Sequence, residues 1–352
     1  MDGFFKRKTA MRNNYKMMLF ITCSALVISS AIAKPMIPND DDIIATSNSS
    51  ISANLTLEQL STLVINSQYI GQTERYQGVL KNRLALLYKQ NPTAQVGYLY
   101  ARVLQKEHQF THAIEVANTV IEKDPNHINT HLLLANMLMT QGKFEQAKRH
   151  CVSLIGAASV VTATTCVLDI QSQQGQLQQS YQSLLDITQN KTISLTTKQV
   201  LSEMAFRLNK LSAALEHINS IDLSKAPVSL IVLWADIQLS QNNPEQVLNT
   251  LSQFSNFQSQ LEDAVLLRLA IAEKRSTHKG NKQWQTRMQQ RVNLREQRQD
   301  TFHANDLANY YIHVQVDKAK AQYWANINWQ QAKMSTDQHL LRQANAMVRD
   351  TL

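Results

Sequence analysis

A motif of 33 or 34 residues recurs through the middle of this chain, and it constrains the fold more than any other feature. Phe110 and Ala113 of one segment align with Phe144 and Ala147 of the next, a shift of 34 residues. A period in this range indicates stacked supersecondary units, each of which buries its apolar face against its neighbours. The units that the alignment defines begin at residues 94, 128, 161, 195 and 228.

Each unit repeats small residues at two positions, the eighth and the twentieth. These are Ala101 and Ala113 in the first unit, and Ala135 and Ala147 in the second. Two antiparallel helices approach closely where small side chains face each other. Large apolar residues recur at the seventh, twenty-fourth and twenty-seventh positions, where they would fill the space between units. Each unit is therefore predicted to be a pair of helices, although the third to fifth units keep the pattern less completely.

Composition supports a helical chain. Only 8 Gly and 6 Pro occur in 352 residues, whereas an all-β protein needs many turns built on these residues. The formal net charge is +8, but the first 33 residues carry half of it and leave 30 basic and 26 acidic residues in the remainder. That mild balance argues against the basic stripe of a nucleic-acid-binding protein.

The N-terminal segment predicts export. A basic stretch precedes an apolar run over residues 17–28, and Ala31 and Ala33 then form a small-x-small site. Secretory signal peptides have this layout, and the run is shorter than the roughly 20 residues that a membrane span requires. We therefore predict a periplasmic protein, with a cleaved signal peptide over residues 1–33 and a flexible, polar leader over residues 34–55.

The recurring slots of residues 94–260 resemble the signature of tetratricopeptide repeat (TPR) proteins, most clearly in the first two units. The resemblance implies an all-α, right-handed superhelical solenoid over residues 56–352, with further helix pairs at both ends and a C-terminal capping helix. The stretch Glu74-Arg75-Tyr76-Gln77-Gly78, two cysteines and the ending YWANINWQQ also resemble a family of exported bacterial TPR proteins. The clearest repeats are residues 94–127, 128–160, 161–194, 195–227 and 228–260.

The resemblance also implies a ligand groove, because the first helix of each TPR pair lines the concave face. The residues at the positions that line this face include aromatic, amide and charged groups. That mixture suits peptide recognition, although the same residues would also suit a solvated helix face. The Lys/Asn/Arg set with which some TPR domains clamp a C-terminal carboxylate is absent. The positions carried over from the family are Tyr98, Arg102, Gln105, Asn129, Leu132, Asn136, Asp169 and Glu203.

Cysteine usage leads to a further prediction. Removal of the signal peptide takes Cys23 and leaves Cys151 and Cys166 in an oxidising compartment. TPR stacking implies that these two residues lie on neighbouring helices, so we predict a disulfide between them. The alternative is a pair of separate buried thiols that act as small apolar residues.

The chain carries no sequence motif for catalysis: no Gly-rich phosphate loop, G-x-S-x-G, H-E-x-x-H or C-x-x-C. His150 and Cys151 are adjacent, but Cys151 occupies an apolar packing slot. No carboxylate or cysteine cluster joins the paired histidines at the spacing of metal ligands. We therefore expect no catalytic residue, no cofactor and no metal. The paired histidines are His108 with His112 and His127 with His131.

These observations favour a non-catalytic scaffold or adaptor of the bacterial envelope that binds a protein or peptide in its concave groove. Assistance in assembling a membrane protein is one such role, with an inner-membrane protein as the partner. Neither nucleic acid nor a small-molecule substrate is expected. Two alternatives remain open: a repeat subunit that recruits substrates to an envelope enzyme complex, and a purely structural spacer.

Overall fold

The structure of the chain, a computed structural model, describes residues 55–254, 261–277 and 282–349, all within the unit formed by residues 43–352. The predicted signal peptide and residues 34–54 of the predicted leader lie outside these ranges. The described part contains seventeen α-helices and no strand. They are α1 (Leu57–Asn66), α2 (Gln77–Gln90), α3 (Ala94–Lys106), α4 (Phe110–Lys123), α5 (Ile128–Thr140), α6 (Phe144–Val152), α7 (Val160–Gln173), α8 (Leu177–Thr188), α9 (Leu195–Arg207), α10 (Leu211–Ile218), α11 (Val228–Ser240), α12 (Pro244–Leu251), α13 (Asp263–Arg275), α14 (Gln283–Gln297), α15 (Ala304–His313), α16 (Lys318–Gln331) and α17 (Ser335–Arg349).

Several helices begin at a hydroxyl cap. The side-chain oxygens of Thr93, Ser159 and Ser194 precede α3, α7 and α9, and each accepts the backbone N–H three residues further on, at 3.1 to 3.3 Å. Such caps satisfy N–H groups that have no partner within the helix. At α1, Thr56 and Gln59 cap each other reciprocally. Each cap fixes the residue at which a helix begins.

In five consecutive pairs, a residue with left-handed backbone lies two positions after the last residue of the first helix. The N–H of the following residue then bonds to a carbonyl five residues earlier, as between Gln109 and Leu104 at 2.9 Å. Glycine adopts this conformation without strain, and asparagine adopts it more readily than most other residues. The residues are His108 (φ 59°), Gly142 (74°), Gly175 (94°), Asn209 (58°) and Asn242 (59°).

The two helices of a pair approach closely at the small residues, as the repeat predicts. Ala101 and Ala113 are both fully buried between α3 and α4. Gly97 also lies in this interface and leaves no room for a side chain, because a Cβ atom there would lie 2.5 Å from a methyl carbon of Val120. In the fourth unit Ser202 replaces alanine, and its buried hydroxyl donates to the carbonyl of Ala214 at 2.8 Å.

Apolar side chains from successive pairs form two hydrophobic clusters. The N-terminal cluster is built mainly from α1 to α6, and the C-terminal cluster from α7 to α17. Ile70 is an exception: it follows α1 in sequence, is 5% exposed, and belongs to the C-terminal cluster. Contact between distant units therefore supplements the stacking of neighbours.

Residues 67–76, the α1–α2 turn, carry Ile70 to that distant cluster. Tyr69 forms an isolated antiparallel bridge with Pro227. The N–H of Val228, at the start of α11, donates to the carbonyl of Gln68 at 2.9 Å. The turn thus adds one extended backbone contact to the N-terminal end of α11.

Two charged side chains form hydrogen bonds with the α1–α2 turn. The carboxylate of Glu262, just before α13, accepts from the N–H of Gly71 and the hydroxyl of Thr73, both at 2.9 Å. The ammonium of Lys106, at the end of α3, donates to the carbonyl of Ser67 at 2.8 Å and also to that of Thr73. The turn therefore links α3 to α11 and α13.

A second long-range contact lies at the C-terminal end, between α16 and α17. The N–H of Lys333 donates to the carbonyl of Thr140 at the end of α5, at 2.8 Å. The N–H and hydroxyl of Ser335 donate to the side chain of Gln173 on α7, at 3.0 and 2.8 Å. The start of the last helix is thereby fixed to the second and third clear units.

The architecture is an all-α helical-repeat solenoid of TPR-like helix pairs, with α17 packed against the last pair as a cap. Counting from α1, the described helices make eight pairs and this terminal helix. None of them combines the length and the apolar character that a membrane crossing requires.

Candidate functional site

A series of polar contacts joins the first helices of successive pairs. Gln105 on α3 donates to Asn136 on α5 at 3.0 Å. Further along, the guanidinium of Arg268 on α13 binds both oxygens of Asp236 on α11, at 2.8 and 2.9 Å, and reaches Asp306 on α15 at 3.5 Å. This polar series marks the face on which the sequence predicts a groove.

A cavity of about 380 Å³ lies at the N-terminal end of this face. Three of the predicted groove residues, Arg102, Gln105 and Asn136, line it together. The α1–α2 turn forms another wall, and residues 227–229 a third. Its volume falls in the range of small-ligand sites, and its lining combines amide and cationic groups with apolar side chains.

The charged side chains among the described residues that line the cavity are cationic. Burial lowers the pKa of Lys106 to about 8, although the nearby carboxylate of Glu262 opposes this shift. Burial also lowers the pKa of His108, so this ring is neutral at pH 7. Arg102 makes no hydrogen bond or ion pair with any residue of the described ranges, and no described residue lining the cavity carries a carboxylate.

Asp169 and Glu203 lie further along the face, on α7 and α9, and do not line the cavity. Burial raises the pKa of Asp169 to about 7, and the negative charge of Glu203 adds to this shift. Burial likewise raises the pKa of Glu203. Arg207 is close enough to oppose both shifts, but its hydrogen bonds go to Ser172 and Ser335, the latter at 3.0 Å. These carboxyl groups form an acidic region distinct from the cationic cavity.

The three other predicted groove residues lie towards the beginnings of α3 and α5. The ring of Tyr98 packs against that of His127, with centroids 5.4 Å apart. Asn129 is exposed and Leu132 is half-buried. The structure thus divides the predicted groove residues into three groups: the cavity residues, the acidic pair, and this surface beside the cavity.

Cys151 and Cys166 are joined by a disulfide, with Cα atoms 5.5 Å apart, a separation typical of disulfides. The bond links the end of α6 to α7. Because its sulfur is bonded, Cys151 does not form a nucleophile pair with His150. The ring of His150 instead contacts His131, with the two Nδ1 atoms 3.1 Å apart.

We expect the disulfide to form in the mature protein. Mass spectrometry of the unreduced protein, for a chain beginning at Lys34, should give a mass two hydrogens below that of the same chain with two free thiols. Reduction should lower the free energy of unfolding by about 3 kcal/mol, because the bond spans 15 residues. The Cys151→Ser/Cys166→Ser variant, as a control, should not respond to reductant. Full thiol labelling after unfolding without reductant would contradict the prediction.

Sequence reasoning missed the walls of the cavity that come from distant segments. The Glu74–Gly78 stretch was notable only as part of a family resemblance, and its neighbours in the α1–α2 turn had no predicted role. Pro227 and Val228 lie about 160 residues from this turn along the chain. No local sequence pattern indicates that the two segments meet.

Comparison with known proteins gives likeness of fold only. No family model matches the sequence, and no curated protein matches it. A TPR protein from Parabacteroides merdae is 14% identical, with a TM-score of 0.43 over 61% of this chain and 84% of that one. The Cut9–Hcn1 complex of the APC/C is 13% identical, with a TM-score of 0.48, covering 81% of this chain and 54% of that one. The TPR domain of P58(IPK) is 10% identical, with a TM-score of 0.29, covering 84% and 99% respectively.

The helix pairs and the polar face define the class: this chain is a TPR-like helical-repeat protein. The assignment rests on its own small-residue contacts, left-handed helix ends and capping helix.

Proposed function

We propose that this chain is a non-catalytic scaffold that binds a protein partner through the concave face of its N-terminal half. The ligand is an extended peptide or a loop of a larger protein. The predicted signal peptide supports action in the bacterial envelope, where a membrane protein under assembly is a suitable partner.

The observation that carries the proposal is the meeting of Arg102, Gln105 and Asn136 in one cavity. These residues come from two successive repeat units, and they lie beside apolar side chains such as Val103 and Phe110. Extended peptides are recognised by such combinations, in which polar groups bind the backbone and pockets accept side chains. Tyr98 and Asn129, beside the cavity, extend the surface along the same helices.

The α1–α2 turn supports a limited binding surface rather than a groove open along its whole length. This turn already forms hydrogen bonds with both Lys106 and Glu262. A partner would therefore contact the surface from Tyr98 to Asn136 and reach past the turn only by displacing it. A short segment of a partner fits this arrangement better than a long one.

The proposal predicts that Tyr98→Ala/Arg102→Ala weakens partner binding about tenfold or more, because central aromatic and Arg contacts often contribute over 2 kcal/mol. The partner would first be captured from an envelope extract with the wild-type protein. Its affinity would then be measured for each purified variant, with helicity checked by circular dichroism.

The matched control is Asn118→Ala/Glu122→Ala, which changes two exposed residues on α4 and should leave the affinity unchanged. Equal binding by the wild type and the Tyr98/Arg102 variant would argue against the concave face. Failure to capture any specific partner would favour the structural spacer.

A further inference from the structure

Arg102 lies in a cavity whose described lining residues include no carboxylate. Arg102 is half-buried on α3, and its guanidinium has no hydrogen-bonding or ionic partner among the described residues. Covering a guanidinium is costly unless an anionic or carbonyl group pairs with it, because the charge is removed from water. A ligand that covers Arg102 is therefore expected to supply such a group.

The second cation of the cavity is already engaged. Lys106 donates to the backbone carbonyls of Ser67 and Thr73, and Glu262 lies close enough to offset part of its charge. Arg102 therefore has more donors left for a ligand than Lys106 has. Because Glu262 offsets part of the Lys106 charge, a singly charged anion matches this cavity better than a phosphate, which carries nearly two negative charges at pH 7.

Amide groups line the cavity together with Arg102. Gln105 donates to the side-chain oxygen of Asn136, and the N–H groups of Asn136 have no acceptor among the described residues. A planar guanidinium with a neighbouring amide donor matches a carboxylate, which accepts two parallel hydrogen bonds from arginine.

Apolar side chains also contribute to the lining. Val64, Leu80, Val103 and Val228 form part of the walls. A ligand with methylene groups as well as its charge can therefore bury them here. A glutamate side chain, with two methylenes and one carboxylate, has both features and is small compared with the cavity.

We propose that this cavity binds an acidic side chain, best a glutamate, of the partner peptide, with its carboxylate on Arg102 and Asn136 and its methylenes against Val103. This inference rests on the proposed function and specifies the chemistry of the ligand. It concerns a side chain within the peptide rather than the carboxylate at its end.

The test uses small probes and the full mature protein. N-acetyl-glutamate N-methylamide would be titrated while the side-chain Nε–H signal of Arg102 is followed by NMR. Its affinity should exceed that of the neutral glutamine analogue by about tenfold or more. Arg102→Met should abolish the difference, and Arg102→Lys should retain part of it because the charge persists without the planar fork. Arg149→Met, which changes an exposed arginine on α6, is the control and should bind as the wild type does.

Equal affinity for the two analogues, or unchanged binding by a folded Arg102→Met variant, would overturn the inference. Tighter binding of N-acetyl-leucine, whose carboxylate is terminal, would also overturn the choice of an acidic side chain. Partner binding by Arg102→Met separates this inference from the proposed function. If that variant loses glutamate binding but keeps full partner binding, the concave-face function fails while the carboxylate site stands.

Discussion

Replacing Arg268 with Met is expected to lower the free energy of unfolding by about 3–5 kcal/mol at pH 8. The guanidinium makes two hydrogen bonds to Asp236 and contacts Asp306, in a position where its side chain is only 12% exposed. The variant leaves both carboxylates without their cation. Urea unfolding of the wild type and of Arg268→Met gives the difference directly.

The loss should be smaller at pH 5. Burial already raises the pKa of Asp306, and the charge of Arg268 opposes that shift. Removing Arg268 raises the folded-state pKa further above the unfolded value, so the folded variant holds a proton that the unfolded chain releases. This contribution to stability is present at low pH and is lost as pH rises through the folded-state pKa.

Two variants make the Arg268 result specific. Arg298→Met removes an exposed arginine at the end of α14 and should change stability by less than about 0.5 kcal/mol. Asp236→Asn/Arg268→Met/Asp306→Asn should recover much of the loss, because it removes the unpaired charges as well. A loss for Arg268→Met that is below about 1 kcal/mol, or equal at the two pH values, would contradict the expectation.

The second large effect is expected at Ile70. Ile70→Ala should destabilise the protein by about 2–4 kcal/mol, because it empties a buried position in the C-terminal cluster. Ile65→Ala, five residues earlier, is the matched control: Ile65 is 50% exposed, so its truncation should have little effect.

Hydrogen exchange tests whether Ile70 acts by holding the α1–α2 turn. The N–H of Val228 bonds to the carbonyl of Gln68, so Ile70→Ala should speed exchange at Val228 more than at the centres of the neighbouring helices. Uniform acceleration throughout the protein would indicate a general loss of stability without release of the turn.

The sequence allowed the helix pairs to be predicted because their determinants are local. The Ala101 and Ala113 contact follows from repeat spacing and side-chain size, and both residues are buried as predicted. The meeting of Arg102 with Asn136 also follows the repeat, since both occupy the ninth position of their units. Even the His108 turn, which lacks glycine, repeats the helix end seen in neighbouring units.

The remaining parts of the site depend on how small rotations between units accumulate. Whether the α1–α2 turn reaches Pro227 and Glu262 depends on the curvature added by every intervening pair, and no single residue specifies that sum. The sequence also did not reveal that Arg102 lacks a partner among the described residues. Glu107 is close to it in sequence, and only the structure shows that the two side chains do not pair.

The contact of the α1–α2 turn with Glu262 has a consequence for the order in which the chain folds. Repeat arrays whose units touch only their neighbours can begin folding in many places and tolerate fraying at either end. Gly71 and Glu262 are 191 residues apart, so the turn cannot complete its contacts until most of the polypeptide has been synthesised. Closing so long a loop has an entropic cost and delays these contacts relative to local helix pairing. The N-terminal pair should therefore acquire its final protection late, and unfolding there should spread cooperatively to units that are far away in sequence.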